Sequence, residues 1–417
     1  MASSVNPPRG MRDFLPADKA QRERVLMVIR SVFSAHGFDE IETPVVEDSA
    51  RLHAGLGGDN EKLAFGVLKR GLTPSDLATA KDPLDLADLG LRFDLTVPLA
   101  RFYATHRAEL PAVFRAIQIA PVWRAERPQK GRYRQFMQCD IDIIGESGPL
   151  AEVELLTATA ATVDALGLTD WSIRVNDRRI LTGLLNYSKV PTHLHDRVLI
   201  AIDKLDKVGI GGVLEELGEL GIDTEAIAVV LRDSGDSADG WYFGDDTPDW
   251  LDADAYDSLL RLREAVPSAS FEFDPTLVRG MGYYTGTIFE IAHPGSSSSL
   301  GGGGRYDGMI GRFLGVDVPA AGFSIGFERI LDLVKLPADG GMDAVALLYD
   351  AGVEPAALME LKSSLIAGGR RVRLERAPRN LKPLLEQLAA SGFSEVATVE
   401  SNTQSVEDLR FRALAQH

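Results

Sequence analysis

The stretch from residue 113 to residue 145 constrains the fold more than any other part of the sequence. Its second half alternates strictly between apolar and polar residues, which is the period of a β-strand. The apolar face holds Met137, Cys139, Ile141 and Ile143, and the polar face holds Gln138, Asp140 and Asp142. The first half predicts a partner strand that ends at Trp123, so the whole stretch is expected to form an antiparallel hairpin.

The polar face of this hairpin needs partners, because carboxylates taken out of water are costly unless they are paired. The loop between the strands supplies cations, and an anion bound beside them is the functional interpretation of the stretch. A solvated face on an ordinary hairpin is the alternative that these residues alone leave open. The cations are Arg124, Arg127, Lys130, Arg132 and Arg134.

Composition narrows the class of protein. The 417 residues suffice for roughly two to three domains, and a net charge of −17 argues against binding nucleic acid by bulk electrostatics. Cys139 is the only cysteine, which excludes an intramolecular disulfide, and the histidines show no metal-ligand spacing. No apolar run reaches about 18 residues, and the N-terminus lacks the apolar core of a signal peptide. We therefore expect a soluble, cytoplasmic protein that contacts no membrane.

Apolar periodicity predicts the elements before the hairpin. A helix is expected over residues 17–36 and a short strand, broken by Pro44, over residues 41–46. Residues 55–89 are expected to be rich in loops. The segment LRFDLTVPLARF alternates, which predicts a strand with Asp94 and Thr96 on its polar face.

The segments after the hairpin are more varied. A helix is expected over residues 150–166, followed by an acidic helical insertion. Residues 277–291 are predicted to form a strand, on which the adjacent Tyr283 and Tyr284 would point to opposite faces. The run SSSSLGGGG at residues 296–304 has the composition of a linker, but glycines also let a backbone approach a ligand closely.

The last part of the chain has the alternating order of a small α/β unit. Strands are predicted at residues 344–349, 371–375 and 396–400, with helices at residues 355–367 and 381–391. The unit is about 75 residues long and lacks a clear final strand and helix.

Several of these segments resemble motifs of known enzymes. The N-terminal helix and strand resemble motif 1 of the class II aminoacyl-tRNA synthetases, RAERPQKGRYRQF resembles motif 2, and PAAGFSIGFERIL resembles motif 3. More specifically, QCDIDIIG, RGMGYY and GGGGRYDG resemble signatures of the histidyl-tRNA synthetase family. The resemblance covers almost the whole chain. The chain departs from it at Gly282, where family members usually have an acidic residue, and in its short terminal domain.

The resemblance implies an α+β fold, in which a class II antiparallel sheet is flanked by helices. It places the catalytic core in residues 1–178 and 269–335 and a helical insertion in residues 179–268. A small α/β domain that resembles an anticodon-binding domain would occupy residues 338–417. Motif 1 builds the dimer interface in this class, so a homodimer is implied.

The resemblance also implies ATP-dependent activation of histidine to histidyl-adenylate and its transfer to the 3′ end of tRNA(His), with Mg²⁺ bridging the ATP phosphates. The implied catalytic residues are Arg124, Arg279 and Arg329. The implied ATP-binding residues are Arg124, Glu126, Arg132 and Arg329. The implied histidine-binding residues are Asp94, Thr96, Gln138, Asp142, Tyr283 and Tyr284. The acceptor end of the tRNA would meet Arg127 and Gln129.

Two other functions are compatible with the same motifs. One is that of the regulatory paralogue that partners an ATP phosphoribosyltransferase. That paralogue typically lacks the motif arginines, whereas Arg124, Arg279 and Arg329 are present here. The other is a histidine-activating ligase with an acceptor other than tRNA, an alternative that Gly282 and the short terminal domain leave open.

Overall fold

A computed structural model of the chain describes residues 5–53, 63–128, 131–233, 241, 248–279, 283–336 and 343–414. Its contacts define two compact units. The larger unit comprises Met1–Arg12 and Leu26–Val334, and the smaller comprises Asp13–Val25 and Lys335–His417. None of the helices in the described ranges combines the length and the apolar character that a membrane-spanning helix needs.

A large sheet organises the larger unit. The strands are, in chain order, β1 (Asp39–Glu40), β2 (Val46–Asp48), β3 (Phe65–Leu68), β4 (Ala87–Leu91), β5 (Phe114–Trp123), β6 (Gln135–Ile144), β7 (Ser172–Asp177), β8 (Phe271–Phe273), β9 (Thr287–Ala292), β10 (Gly301–Arg305) and β11 (Ala320–Ile325). Eight of them form one sheet in the order β1-β5-β6-β11-β10-β9-β7-β8. Pairing is antiparallel from β5 to β7 and parallel at both edges. The strands β2, β4 and β3 form a separate small sheet.

Helices cover this sheet and fill the insertion. They are α1 (Pro16–Ala35), α2 (Ser49–Leu52), α3 (Pro74–Thr79), α4 (Thr96–His106), α5 (Leu150–Ala165), α6 (Arg178–Tyr187), α7 (His195–Ile202), α8 (Leu205–Glu219), α9 (Glu225–Asp233), α10 (Ala253–Ala265), α11 (Asp307–Leu314) and α12 (Phe327–Leu333). Short 3₁₀ helices lie at Pro83–Leu86 and Thr192–Leu194. The expected helix near the N-terminus is confirmed. Gly37 follows it with φ +85°, a conformation that favours glycine.

The expected hairpin is confirmed over its full length, because β5 and β6 pair antiparallel from Phe114 opposite Ile144 to Trp123 opposite Gln135. The helical character of the insertion is confirmed as well. Buried residues of its helices, such as Leu181 and Val198, belong to one apolar cluster with Ile288 of β9. The contacts therefore group the insertion with the sheet, and its boundaries at residues 179–268 stay a prediction.

The predicted strand around Asp94 is wrong, because β4 ends at Leu91 and α4 begins at Thr96. The alternation in LRFDLTVPLARF has another cause. Phe93 and Val97 are buried in the apolar core, while Asp94 turns the other way and its Oδ1 accepts from the Val97 backbone N–H at 3.3 Å. A buried connection into a helix thus mimics the period of a strand.

Three other expectations about strands and loops were also wrong. Residues 41–46 form no single strand. Instead, the guanidinium of Arg92 donates to the carbonyls of Thr43 at 2.7 Å and Pro44 at 3.3 Å, between β1 and β2. Residues 63–89 carry β3, α3 and the start of β4 rather than loops alone. The strand predicted over residues 277–291 begins only at Thr287.

The glycine run forms β10, in the middle of the large sheet, so its linker interpretation is wrong. Neighbouring backbone leaves no room for side chains there. A Cβ on Gly303 would lie 1.9 Å from the carbonyl oxygen of Gly322 on β11. Close approach therefore requires glycine at this point of the sheet.

The smaller unit has a four-stranded sheet between two helices. Its elements are β12 (Ala344–Tyr349), α13 (Pro355–Ala367), β13 (Arg371–Arg376), α14 (Lys382–Ala390), β14 (Glu395–Val399), a 3₁₀ helix (Val406–Asp408) and β15 (Arg412–Ala413). The strand order is β13-β12-β14-β15. The predicted strands and helices are confirmed within one or two residues. The final strand that the sequence did not reveal is β15, which pairs antiparallel with β14.

Candidate functional site

A cavity of about 500 Å³ opens on the face of the large sheet. Eleven of the thirteen residues selected from the sequence line it: Asp94, Thr96, Arg124, Glu126, Arg132, Gln138, Asp142, Arg279, Tyr283, Tyr284 and Arg329. Arg127 is exposed and is not among the lining residues. Gln129 and Gly282 lie outside the described residues.

One end of the cavity is built from the polar face of β6. Gln138, Asp140 and Asp142 are spaced by two residues, so all three point to the same side of the sheet, and all are buried. Asp94 reaches the same end from the segment before α4. Burial raises the pKa of Asp94 and raises that of Asp142 to about 7, with the repulsion from Asp94 adding to the shift at Asp142. This end is therefore prepared for a cation, which would relieve the repulsion.

Tyr306 was not selected from the sequence, yet its hydroxyl donates to Asp142 Oδ1 at 2.5 Å. The motif RYDG, which holds it, was the available signal. Gly322 on the neighbouring strand makes room for this pair, since a Cβ there would lie 1.9 Å from Asp142 Oδ1.

Tyr283 and Tyr284 do not point to opposite faces, because they lie in a connection rather than a strand. The hydroxyl of Tyr283 donates to that of Tyr284 at 3.2 Å, and their ring centroids are 4.4 Å apart. Tyr306 lies edge-on to Tyr283, with 6.3 Å between the centroids. Three tyrosines thus enclose the carboxylate end with aromatic faces and hydroxyl groups.

Guanidinium groups collect at the other end. Burial lowers the pKa of Arg329, and the repulsion from neighbouring guanidiniums lowers it further. Those neighbours are Arg132, Arg279 and Arg124. Arg329 Nη1 is anchored to the carbonyl of Ser299 at 2.5 Å, and Arg124 Nε to the carbonyl of Phe93 at 2.9 Å. Two of these four guanidiniums are thus anchored by neutral carbonyls, and four cations held near one another form a site for a polyanion.

Arg279 lies across the sheet, over a glycine. A Cβ on Gly302 would come within 2.5 Å of its Cζ, so a side chain there would displace the guanidinium. Glu290 of β9 accepts from Arg279 Nη1 at 2.9 Å and from Arg174 Nη1 at 2.8 Å. Burial alone would lower the pKa of Arg279, but the carboxylate of Glu290 and the neighbouring Tyr284 and Tyr283 together outweigh burial and raise the pKa. The arginine therefore stays charged.

The cavity lining also holds groups that can contact a planar ring. Glu126 pairs with Arg132, whose Nη1 lies 3.4 Å from Glu126 Oε2. The guanidinium of Arg124 lies over the Phe136 ring, 5.0 Å from its centroid. The described residues include no group of three or more His, Cys, Asp or Glu side chains that could hold a metal ion.

Comparison with known proteins identifies related chains. The sequence model of the histidyl-tRNA synthetase family matches residues 10–330. The chain is 60% identical to a histidine–tRNA ligase of Leifsonia xyli subsp. xyli, over 97% of this chain and 98% of that protein. It is 44% identical to a probable histidine–tRNA ligase of Tropheryma whipplei, over 93% of this chain and 94% of that protein.

Solved structures extend the similarity to the fold. The histidyl-tRNA synthetase of Nostoc sp. PCC 7120 matches with a TM-score of 0.74 and 24% identity, over 99% of this chain and 95% of that chain. A protein of Bacillus halodurans, described as an ATP phosphoribosyltransferase regulatory subunit/histidyl-tRNA synthetase, matches with a TM-score of 0.72 and 20% identity, over 95% of this chain and 99% of that chain. At such identities the match concerns the fold alone.

Proposed function

The chain belongs to the histidyl-tRNA synthetase family, and we propose that it uses ATP to activate histidine and then transfers the histidine to the 3′ end of a tRNA. The α+β fold expected from the sequence, a class II antiparallel sheet flanked by helices, is confirmed. The observation that carries the proposal is the polarity of the cavity on the large sheet. Its carboxylates suit the cationic groups of an amino acid, and its guanidiniums suit a triphosphate.

Histidine occupies the carboxylate end in this proposal. Asp94, Thr96 and Gln138 hold the α-ammonium group, which needs acceptors in three directions. Asp142 and the tyrosine pair bracket the two nitrogens of the imidazole ring. Directional polar partners are needed because shape alone discriminates weakly between side chains of similar size.

ATP occupies the guanidinium end. Arg124 contacts the α-phosphate, Glu126 reads the adenine, and Arg132 and Arg329 hold the outer phosphates. Mg²⁺ enters as part of the substrate, bound to the phosphates of ATP. Arg279 stands between the two ends, where a cation can contact both the histidine carboxylate and the α-phosphate.

The reaction needs no nucleophile from the protein. A carboxylate oxygen of histidine attacks the α-phosphorus, a P–O bond forms, and the bond to pyrophosphate breaks. Negative charge builds on the phosphoryl oxygens in the transition state, so the fixed guanidiniums of Arg124, Arg279 and Arg329 are the main catalytic device. A ribose hydroxyl at the 3′ end of the tRNA then attacks the activated carbonyl, and AMP leaves.

The remaining proposals concern partners. We assign contact with the tRNA acceptor end to the segment of Arg127 and Gln129, and a supporting role in tRNA binding to the α/β domain at residues 338–417. We also propose that residues 1–178 and 269–335 form the catalytic core. A homodimer and a cytoplasmic location, where tRNA is charged for protein synthesis, complete the proposal.

The regulatory alternative is not favoured. Relatives at 60% and 44% identity are named as ligases, and the three arginines that such an activity needs line one cavity here. The fold shared with the Bacillus halodurans protein is common to both functions and does not separate them.

The test is ATP–pyrophosphate exchange measured with each of the twenty amino acids, followed by charging of tRNA. Histidine alone should support strong exchange. Asp142→Ala should lose most of it, because an unpaired buried N–H group costs about 1–3 kcal/mol. Asp257→Ala is the matched control, since that aspartate is exposed and pairs with Arg261 on the surface.

Equal exchange with another amino acid, or full activity of the Asp142 variant, would refute the assignment of histidine. Exchange with histidine but no charging of any tRNA would instead favour a ligase with a different acceptor.

A further inference from the structure

Two buried oxygen atoms beside the β6 carboxylates have no hydrogen-bond donor among the described residues. They are Oε1 of Gln138 and Oδ1 of Asp140. Both side chains line the cavity, and only 8% of Gln138 and 4% of Asp140 is exposed. Buried acceptors without donors are costly, so atoms of this kind in a cavity mark the place of a donor that arrives with a ligand.

The orientation of Gln138 is set by two acceptors in a group of three side chains. Its Nε2 donates to Asp140 Oδ2 at 3.2 Å and to Ser324 Oγ at 3.2 Å. Both N–H groups of the carboxamide are therefore used, and its oxygen is left for the cavity. Turning the carboxamide over would bring that oxygen against the carboxylate, which is unfavourable.

Asp140 has no other evident task. Burial and the repulsion from Asp142 and Asp94 raise its pKa well above the ordinary value, so its charge is disfavoured in the empty cavity. Its ability to accept a hydrogen bond persists in either protonation state. The backbone of Asp140 pairs with Gln118 and Ser324 in the sheet like that of any strand residue.

We propose that Asp140 is a positioning residue for the amino-acid ammonium group, which it serves by turning the carboxamide oxygen of Gln138 toward that group. This inference rests on the proposed function, because it takes the ligand to be an amino acid. Asp140 acts through Gln138 and not as a direct partner of the imidazole ring.

The experiment compares two ligands that differ only in the ammonium group, L-histidine and imidazolepropanoate, by calorimetric titration of the full-length protein. Asp140→Ala should weaken histidine binding about 10–100-fold, the range expected when a hydrogen bond to a charged group is lost. Imidazolepropanoate has no ammonium group, so its binding should change by less than about twofold.

A conservative variant separates positioning from charge. Asp140→Asn removes the charge but keeps an oxygen that accepts from Gln138, so histidine binding should stay within about threefold of the original. If Asp140→Asn is as weak as Asp140→Ala, the carboxylate acts through its charge and the positioning role is refuted. Equal losses for the two ligands would show a merely structural role and would also refute it.

Ser324→Ala provides a second route should Asp140→Ala not fold. It removes another member of the same group, and it should weaken histidine binding several-fold while leaving imidazolepropanoate unchanged. A wild-type protein that does not bind histidine would refute the proposed function. A wild-type protein that binds it, with variants that affect both ligands alike, would refute only the role of Asp140.

Discussion

Strand β12 of the smaller unit and strand β6 of the larger unit are both central and buried, but they bury different chemistry. On β12, Val345 and Leu347 pack against α13, and Ala346 and Leu348 pack against the residues around α14. On β6, one face is apolar and the other carries Gln138, Asp140 and Asp142. Both faces of β12 therefore stabilise the fold, whereas one face of β6 opposes it.

This difference shows which buried side chains favour the folded state of each region and which oppose it. The smaller unit gains stability from every buried side chain of its central strand. The larger unit keeps three carboxyl groups with raised pKa values and four neighbouring guanidiniums in one cavity, where bound groups of opposite charge would relieve the repulsion within each set. Substitutions in the two strands should accordingly have effects of opposite sign on stability.

The largest effect is expected in the apolar strand. Leu347 is fully buried, and Leu347→Ala should destabilise the smaller unit by about 2–5 kcal/mol because it leaves a cavity in a packed core. Urea unfolding followed by circular dichroism measures this loss. Met359→Ala is the control, since about half of that side chain is exposed, and it should cost less than about 0.5 kcal/mol. Equal effects of the two substitutions would contradict a packed core on this face.

The next effect concerns rate and not stability. Arg279→Lys should slow histidine-dependent pyrophosphate exchange about 10²–10³-fold, the loss typical of one missing donor to a transition-state oxyanion. One ammonium group cannot both pair with Glu290 and face the substrates as a planar fork can. Histidine binding, measured by titration, should fall less than the rate. Near-normal exchange would reduce Arg279 to a structural partner of Glu290.

Substitutions at two glycines test the position of the Arg279 guanidinium without altering any charge. Gly302→Ala places a Cβ 2.5 Å from Cζ of Arg279 and should therefore lower exchange. Gly308→Ala adds a Cβ with no atom within 4 Å and should leave exchange unchanged. If both variants kept full exchange, the position of Arg279 over β10 would not matter for the reaction.

The contrast between the strands also explains which parts of the fold could be predicted. In the smaller unit, apolar periodicity and packing agree, so three of its four strands and both α-helices were predicted to within one or two residues, and only the two-residue β15 was missed among the described strands. Near the cavity, periodicity was misleading. Phe93 and Val97 are buried without a strand, and Tyr283 and Tyr284 lie together in a connection. Burial in the packed core, and not the period of a strand, places these side chains, so the alternation of apolar and polar residues does not reveal their conformation.

The site itself was found through motifs more than through physical patterns. Eleven selected residues line one cavity, which sequence spacing alone could not have established. Tyr306 and Asp140 were missed although both stood inside quoted motifs. Asp140 shares a strand face with its partner Gln138, but Tyr306 and its partner Asp142 are 164 residues apart and become neighbours only through the fold. Hydrogen bonds of this kind are a property of the tertiary fold.

A smaller effect than those above should appear in the pH dependence of stability. The carboxyl group of Asp142 has a folded-state pKa of about 7 against an ordinary value of 3.8, so the folded state holds its proton more tightly than the unfolded state. Stability from this group is therefore present at low pH and is lost as pH rises through 7. Between pH 5 and pH 7 the loss is about 2 kcal/mol.

Asp142→Asn should remove this share of the pH dependence and stabilise the ligand-free protein at pH 7, in contrast to the destabilising Leu347→Ala. Thermal unfolding at the two pH values measures both changes. The pKa values of Asp94 and Asp140 are also raised in the folded state, so these two groups likewise make the protein less stable as pH rises. They account for the pH dependence of stability that remains in the Asp142→Asn variant. A variant with the unchanged wild-type slope would show that Asp142 is ionised in the folded state throughout this range.

The smallest expected effect concerns the contribution of each unit to tRNA binding. Arg127 is exposed in the connection between β5 and β6, and Arg376 is exposed on β13 of the smaller unit. If acceptor-end recognition dominates, Arg127→Ala should raise the KM for tRNA only several-fold. It should also reduce the slope of log affinity against log salt by about 0.7–0.9, the share of one phosphate contact. Pyrophosphate exchange without tRNA should stay unchanged, because the side chain does not line the cavity.

Arg376→Ala should leave both the KM and the salt slope unchanged, and an acceptor-stem minihelix should be charged nearly as well as full-length tRNA. Two results together would show that the smaller unit contributes more to tRNA binding than the acceptor-end segment. Arg376→Ala would weaken tRNA binding more than Arg127→Ala, and the minihelix would be charged far worse than full-length tRNA. The smaller unit would then contact the tRNA directly, because a charge removed from its surface can change the salt slope only if that charge meets a phosphate in the complex.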